Sequence, residues 1–335
     1  MDDLLKLIDH DHLGPSVVAK FPVLVVLGPT ASGKSRLAMH VAERVGGEIL
    51  SVDALKVYRG MDVGTAKPTA TELARIPHHG IDLVGADEEF SVSEFLDYAE
   101  PVIAEIVSRK RVPVLDATAP YYLKALVYGI DRGPEPRPEF RDEMEQRPLA
   151  DVYEELKRKD PASAQRIGPT DQRRLVRALE IIEFGEKLPS EVDLWGEPRG
   201  DYRWVFTGIR WPRDILYRRV KARAEAMFEQ GWLHEVQTIL AGKGFSTTSG
   251  KAHGYRRLQQ YIAGELTFEE CVEETIRDVK TFARKSMTFF KTFPKVQWLD
   301  VTIDEEIDRA GAYLAHELKD MLTQCGVPRD MIDLP

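Results

Sequence analysis

The chain runs to 335 residues, longer than the usual domain of about 100 to 200, so two compact units or one core carrying an insertion are expected. Hydrophobic residues make up 43% and charged residues 30%, with 24 Gly and 20 Pro; that is the make-up of a folded protein with a sizeable core, and it excludes a disordered or low-complexity chain. The formal net charge is −9, which by itself argues against a nucleic-acid partner, since phosphate binding needs a cationic surface.

The acid is unevenly spread. Residues 1–20 carry four Asp against two Lys, and residues 301–335 carry eight acidic against three basic side chains. Residues 210–223 hold six basic side chains against Asp214 alone, and residues 277–295 hold six against Asp278. A basic surface for RNA can therefore sit on an acidic protein, although such clusters also arise as solvated helix faces. The two cysteines, Cys271 and Cys325, lie far apart without metal-ligand spacing, which argues against a disulfide framework or a zinc site and fits a reducing cytoplasm. The apolar run near the start, Phe21 to Leu27, falls far short of the roughly 20 residues needed to cross a bilayer, and Asp2 and Asp3 give the N-terminus the wrong charge for a secretory signal. A cytoplasmic protein with no membrane partner is expected.

In chain order, Pro22–Leu27 is a β-branched run without alternation, the pattern of a parallel strand buried on both faces. A glycine-rich turn follows. From Lys34 to Val45, Leu37, Ala38, Val41, Ala42 and Val45 repeat at helical spacing, and Gly46-Gly47 stops the helix. Ile49–Val52 reads as a second strand, Val102–Val107 as helix and Arg111–Leu115 as another buried strand, so β and α alternate. The proline-rich stretch from Asp131 to Pro138 continues neither helix nor central strand and marks a boundary. Glu139–Phe184 is helical and charged, with Leu175, Val176, Leu179 and Ile182 on one stripe. After a loop to Gly200, Trp204–Ile209 restores the strand texture, so the helical block is inserted into the core. Helices at about Asp214–Leu240 and Phe268–Phe293 follow; on the second, Phe268, Val272, Ile276, Val279, Ala283, Met287 and Phe290 are predicted to face the core.

Gly28-Pro-Thr-Ala-Ser-Gly33-Lys34-Ser35 matches G-x-x-x-x-G-K-[ST] without a gap. Glycines let such a loop fold into a nest of backbone N–H groups, the lysine neutralises phosphate oxygen, the serine reaches a Mg²⁺, and the dipole of the following helix favours the anion. A plain glycine turn is the competing reading, and the strand before and helix after weigh against it. The loop would usually indicate a kinase or NTPase.

The next motif points elsewhere. The run from Ile49 through Asp53, Lys56, Tyr58, Gly60, Gly64 and Lys67 to Pro68 resembles the tRNA dimethylallyltransferase family, also called isopentenyl-diphosphate:tRNA transferases. The resemblance continues in Pro77-His78-His79-Gly-Ile-Asp82, in Asp171–Glu180, in Gly254-Tyr255-Arg256 and in the helix from Arg277 to Phe290, spanning residues 22 to 300. It implies an α/β, P-loop NTPase-like parallel sheet core with an inserted helical domain, and transfer of a dimethylallyl group from dimethylallyl diphosphate to the exocyclic amine of the adenine 3′ of a tRNA anticodon.

On that resemblance Gly28, Thr30, Ala31, Ser32, Gly33, Lys34, Ser35 and Arg223 bind the diphosphate. Asp53 would be the base, with a Mg²⁺-binding or capping carboxylate as the competing reading, and Thr118 would share the catalytic role. Apart from the resemblance, Ser35 by the loop pattern and Asp116 as an acid ending a strand beside it are expected to hold Mg²⁺. The tRNA anticodon stem-loop meets Asp53, Ala54, Leu55, Lys56, Arg173, Arg174, Arg177, Lys251, His253, Gly254, Tyr255, Arg256, Arg284 and Lys285. For Arg219 a solvated helix arginine is as good a reading as a functional one, and His78 and His79 read as structural. The implied division is an N-terminal extension, 1–20; a core, 21–130 and 201–300; an inserted tRNA-binding domain, 131–200; and an acidic C-terminal tail, 301–335. A monomer is expected.

Departures from the family pattern cluster on the implied site. Ala54 and Lys56 stand where the family has serine and often glutamine. Asp116-Ala117 stand where it has two glycines before Thr118. Lys285-Ser286 replace an Arg-Gln pair, and His253 replaces an apolar residue. A carboxylate at 116 would either repel a diphosphate or recruit Mg²⁺, and a strand ending in an acid is also how phosphate-loop NTPases hold the metal. An ATP-dependent kinase or NTPase, and an RNA-binding paralogue that has lost catalysis, therefore stand as alternatives.

Overall fold

A computed structural model describes residues 20–130, 133–191, 197–200 and 202–332. All but Lys20 of the expected N-terminal extension lies outside the described residues. The chain divides into two units, residues 127–199 and the remainder.

The larger unit is built on six strands: β1 (Phe21–Leu27), β2 (Glu48–Val52), β3 (His78–His79), β4 (Pro113–Ala117), β5 (Tyr202–Arg210) and β6 (Gln297–Asp300). They pair in parallel in the order β3-β2-β4-β1-β5-β6. β2 and β4 are buried along their whole length and β1 beyond its first residue, as the non-alternating apolar runs require. Among the described residues, the helices that accompany them include, in chain order, α1 (Lys34–Val45), α2 (Val92–Ser108), α3 (Arg213–Glu229), α4 (Trp232–Ala241), α5 (Tyr255–Ile262), α6 (Phe268–Phe290) and α7 (Asp304–Gln324). In a parallel sheet ligands gather outside the carboxyl ends of the strands. Here those ends carry Gly28 after β1, Asp53 after β2 and Thr118 after β4.

Local chemistry sets the boundaries. The Ser91 hydroxyl accepts from the Glu94 N–H while Glu94 reaches back to the Ser91 N–H, a capping box that starts α2 ten residues before the expected Val102. The single helix expected over Asp214–Leu240 breaks at Gly231, whose φ is 97°. On α6 the buried positions are Cys271, Thr275, Ile276, Ala283, Ser286 and Phe290. Phe268, assigned to the core by spacing, stays exposed, and Val272, Val279 and Met287 are only half-buried.

The C-terminal segment is the main correction. Residues 301–335 were expected as an acidic tail; instead α7 buries Ile307, Leu314, Ala315, Leu318 and Leu322 in one core with Leu37, Ala38 and Val41 of α1. Its acids lie off that apolar stripe, and Asp308 among them accepts two hydrogen bonds from Arg36 of α1 at 2.6 and 2.9 Å. Net charge hid a helical period. Leu318→Ala should lower the unfolding free energy by about 2–5 kcal/mol, read by denaturant titration; a cost below about 0.5 kcal/mol, the range of surface changes, would return the segment to a tail.

The smaller unit has four helices, Pro138–Gln146, Leu149–Lys159, Pro161–Ile167 and Gln172–Phe184, around Met144, Val152, Leu156, Leu175, Val176 and Leu179. Glu180, fully buried there, accepts from the Arg137 N–H at 2.7 Å and from Arg141 at 2.7 and 3.0 Å, and pairs with Arg177. Burial alone would raise its pKa, but these donors hold it below the ordinary carboxylate range.

Candidate active site

The loop after β1 enters α1 through Ala31 and Gly33, with φ of 62° and 88°. Gly33 offers no side-chain cap, so the first N–H groups of the helix are left for an anion. The loop's carbonyls are held from outside. Trp211 donates its indole N–H to the Ser32 carbonyl at 2.8 Å, and Arg219 donates to the Ala31 carbonyl at 2.9 Å while stacking on Trp211 and pairing with Asp304 of α7 at 2.9 Å. Arg219 therefore braces the loop and is not the solvated helix arginine of the simpler reading.

Four further charges converge there. Lys34 is buried, and desolvation lowers its pKa to about 8, with Asp116 opposing and Arg223 and Lys56 adding to the fall. Burial also lowers Arg223, against the fields of Asp116 and Asp53. Asp116 opposes Ser51 of β2 in the sheet; its Oδ2 accepts from the Ser35 hydroxyl at 2.8 Å and lies 3.4 Å from Lys56 Nζ. Burial would raise its pKa, but Lys56, Lys34 and Ser35 outweigh that and keep it ionised. Its Oδ1 is buried with no partner. The carboxylate thus has an ammonium beside it as well as a hydroxyl donor.

Asp53 follows β2 and is buried. Its Oδ1 accepts from the backbone N–H of Leu55 at 2.7 Å and of Lys56 at 3.3 Å, an Asx turn that fixes the carboxylate, while no hydrogen bond reaches Oδ2 from the described residues. A cavity of about 90 Å³ joins Asp53 and Thr118 to Thr30, Ala31 and Arg223, walled by Val220, Met227, Trp232, Val279 and Phe282. The arrangement gathers a phosphate-loop cation, a carboxylate and an apolar recess in one place.

Comparison with known proteins agrees with this layout. The family model described as IPP transferase matches residues 56–293, and one described as isopentenyl transferase matches residues 21–79. The chain belongs to the IPP transferase family. It is 39% identical over 284 residues to tRNA dimethylallyltransferase 1 of Citrifermentans bemidjiense, covering 84% of this chain and 92% of that protein. It is also 39% identical over 293 residues to the tRNA dimethylallyltransferase of Dictyoglomus turgidum, covering 84% and 88%. The crystal structure of full-length tRNA isopentenylpyrophosphate transferase from Bacillus halodurans, 33% identical, superimposes with a TM-score of 0.67 over 91% of this chain and 99% of that one. A eukaryotic dimethylallyltransferase acting on tRNA, 23% identical, shares the fold with a TM-score of 0.74, covering 88% and 77%.

Within this IPP transferase, the residues singled out for RNA take different positions. Lys251, Arg256, Arg284, Lys285, Arg173 and Arg174 are exposed. Arg256 also pairs with Asp278 at 3.5 Å, and Arg174 with the helix-capping Asp171 at 2.6 Å. His253, exposed overall, packs on Phe282 and lines the cavity; partial desolvation there holds its pKa below the usual value. Three others are corrected. Lys56 is buried against Asp116, Tyr255 is fully buried and donates to Glu235 at 2.6 Å, and Arg177 is engaged by Glu180 and by the Pro134 carbonyl at 3.0 Å. His78 and His79 are structural as expected, His78 contacting the Ile76 carbonyl and His79 the Glu48 carboxylate, each at 2.8 Å.

Two residues that shape the cavity were missed. Glu235 accepts from the backbone N–H groups of Asp62, Val63 and Gly64 at 2.7, 2.6 and 3.2 Å as well as from Tyr255. Trp232, almost wholly buried, presses on Gly64 and Gly254 so closely that a Cβ at either would fall about 2 Å from its ring. A glycine in each of two family motifs was the available signal; the tryptophan that demands both lies in neither.

Proposed function

We propose that this protein is a transferase that moves a dimethylallyl group from dimethylallyl diphosphate to the exocyclic amine of the adenine 3′ of a tRNA anticodon. The observation that carries the reading is the single cavity running from the phosphate loop past Arg223 to Asp53 with apolar walls. Such a recess suits a five-carbon chain whose diphosphate rests on the loop. The bond between C1 of the prenyl group and the diphosphate oxygen breaks, a bond from C1 to the adenine nitrogen forms, and the surplus amine proton passes to Asp53. Lys34, Arg223 and the amides of residues 33–35 stabilise the departing diphosphate. Thr118, on the cavity wall, is assigned to the same reacting centre.

Ser35 Oγ and both oxygens of Asp116, one of them unpartnered, are the hard donors that Mg²⁺ prefers, so these residues would hold the ion, which would supply further charge neutralisation of the diphosphate. The exposed cations at Lys251, Arg256, Arg284 and Lys285, with Arg173 and Arg174 of the smaller unit, are assigned to the anticodon stem-loop. A monomer is the proposed state, and two free cysteines support a cytoplasmic setting. No helix among the described residues is long and apolar enough to cross a membrane.

The contact of Ser35 with Asp116 favours ATP chemistry as a second reading. Isothermal titration separates the two: dimethylallyl diphosphate should bind at least about tenfold more tightly than ATP, since only its chain fills the apolar recess. The reverse order would move the assignment to a nucleotide enzyme. Lys34 adds a pH signature. Its pKa lies near 8 without ligand and rises once phosphate surrounds the ammonium, so pyrophosphate binding at about pH 9 should take up a proton and weaken as pH rises. Titrations in two buffers of different ionisation enthalpy measure that uptake; none would place Lys34 away from the phosphates.

A further inference from the structure

Lys56 and Asp116 are both departures from the family pattern, and the fold brings them together. Both side chains are buried, and the ammonium lies 3.4 Å from the same Asp116 oxygen that accepts from Ser35. Lys56 is fixed at its base, because its backbone N–H belongs to the Asp53 turn. A bare carboxylate there would stand against any diphosphate on the loop. With the ammonium beside it, the pair is neutral and the carboxylate opposes a bound diphosphate less.

The same geometry bears on the metal. Mg²⁺ demands six oxygens in a near-octahedral shell; Ser35 and Asp116 supply part of it, and no group of three or more His, Cys, Asp or Glu side chains able to hold a metal occurs among the described residues. We infer that Lys56 is the resident counter-ion of Asp116, holding the place of the divalent cation in the donor-free protein, and that Mg²⁺ enters the Ser35–Asp116 site only together with a diphosphate, displacing the ammonium. The second half rests on the diphosphate reading above. The displaced side chain can move within a cavity of about 70 Å³ that borders the Ser35–Asp116 pair itself and is lined further by Lys56, Ser51, Glu72 and a second ammonium, Lys67. The Ser51 hydroxyl there is buried without a partner and supplies an acceptor for the ammonium.

The test uses Mn²⁺ as a paramagnetic probe of the full chain, with and without inorganic pyrophosphate. Without pyrophosphate, Lys56→Met and Lys56→Gln should each bind Mn²⁺ at least about tenfold more tightly than the parent, because a neutral residue no longer competes for Asp116. Asp116→Asn added to either should remove the gain. The parent should acquire Mn²⁺ once pyrophosphate is present. Lys56→Gln keeps a donor for Asp116 and so carries the comparison if Lys56→Met fails to fold. Equal Mn²⁺ affinity in the parent and the variants without pyrophosphate overturns the inference, as does a gain that survives Asp116→Asn. Failure of every protein to bind pyrophosphate would instead overturn the diphosphate reading and the second half of the inference, a result the pyrophosphate-free titrations keep distinct.

Discussion

Asp53→Asn should lower turnover by about 10² to 10⁴, the usual contribution of a positioned general base, while leaving the affinities for tRNA and for dimethylallyl diphosphate within a few-fold of the parent. The amide oxygen can still accept the N–H groups of Leu55 and Lys56 at the position of Oδ1, so the turn after β2 persists. What disappears is the carboxylate oxygen that no described residue engages and that would receive the proton. Single-turnover kinetics with saturating tRNA, beside equilibrium binding of each substrate, makes the separation. Turnover within threefold of the parent would assign the base elsewhere in the cavity.

Lys34→Ala should weaken pyrophosphate and dimethylallyl diphosphate binding by more than about tenfold, since a charge-assisted hydrogen bond to phosphate is worth about 1.5–3 kcal/mol. Affinity for tRNA should hardly change, because the exposed cations of α5 and α6 remain in place. The buried position of Lys34 enlarges the effect, for water cannot replace the lost cation easily. Unchanged diphosphate affinity in the variant would remove the loop from donor binding.

The phosphate loop and the strands around it were legible because the information is local: one apolar run, one turn and one amphipathic helix lie consecutively in Phe21–Val45. The family motifs added Asp53, Arg223 and His253, which do meet at one cavity. Other features depend on partners distant in the chain. The roles of Lys56 and Asp116 could not be read singly, for each is explained by the other across 60 residues. Arg219 and Asp304 meet across 85. Tyr255 looked like a surface residue of a binding motif until Glu235 and Trp232 closed over it. In α7, the spacing of Ile307, Leu314, Leu318 and Leu322 was present in the sequence, but the sum of its charges concealed it.

These particulars bear on the departures at the site. Asp116 is not an uncompensated charge beside a diphosphate, and the paired Lys56 answers the objection that its presence raises. Ala54 leaves Asp53 held by backbone donors alone, so the missing hydroxyl does not release the carboxylate. Ser286, in place of the second member of the family's basic-polar pair, is buried on α6 while Lys285 beside it remains exposed.

Incubation of unmodified tRNA with dimethylallyl diphosphate and this protein, followed by mass spectrometry of the digested nucleosides, tests the account most directly. Adenosine carrying one dimethylallyl group should appear in step with released diphosphate, only when both substrates are present, and should fall to about a hundredth or less with Asp53→Asn. ATP supplied in place of the prenyl donor should leave the tRNA unchanged. Unmodified adenosine in the complete reaction, with phosphate released from ATP in the parallel one, would contradict it.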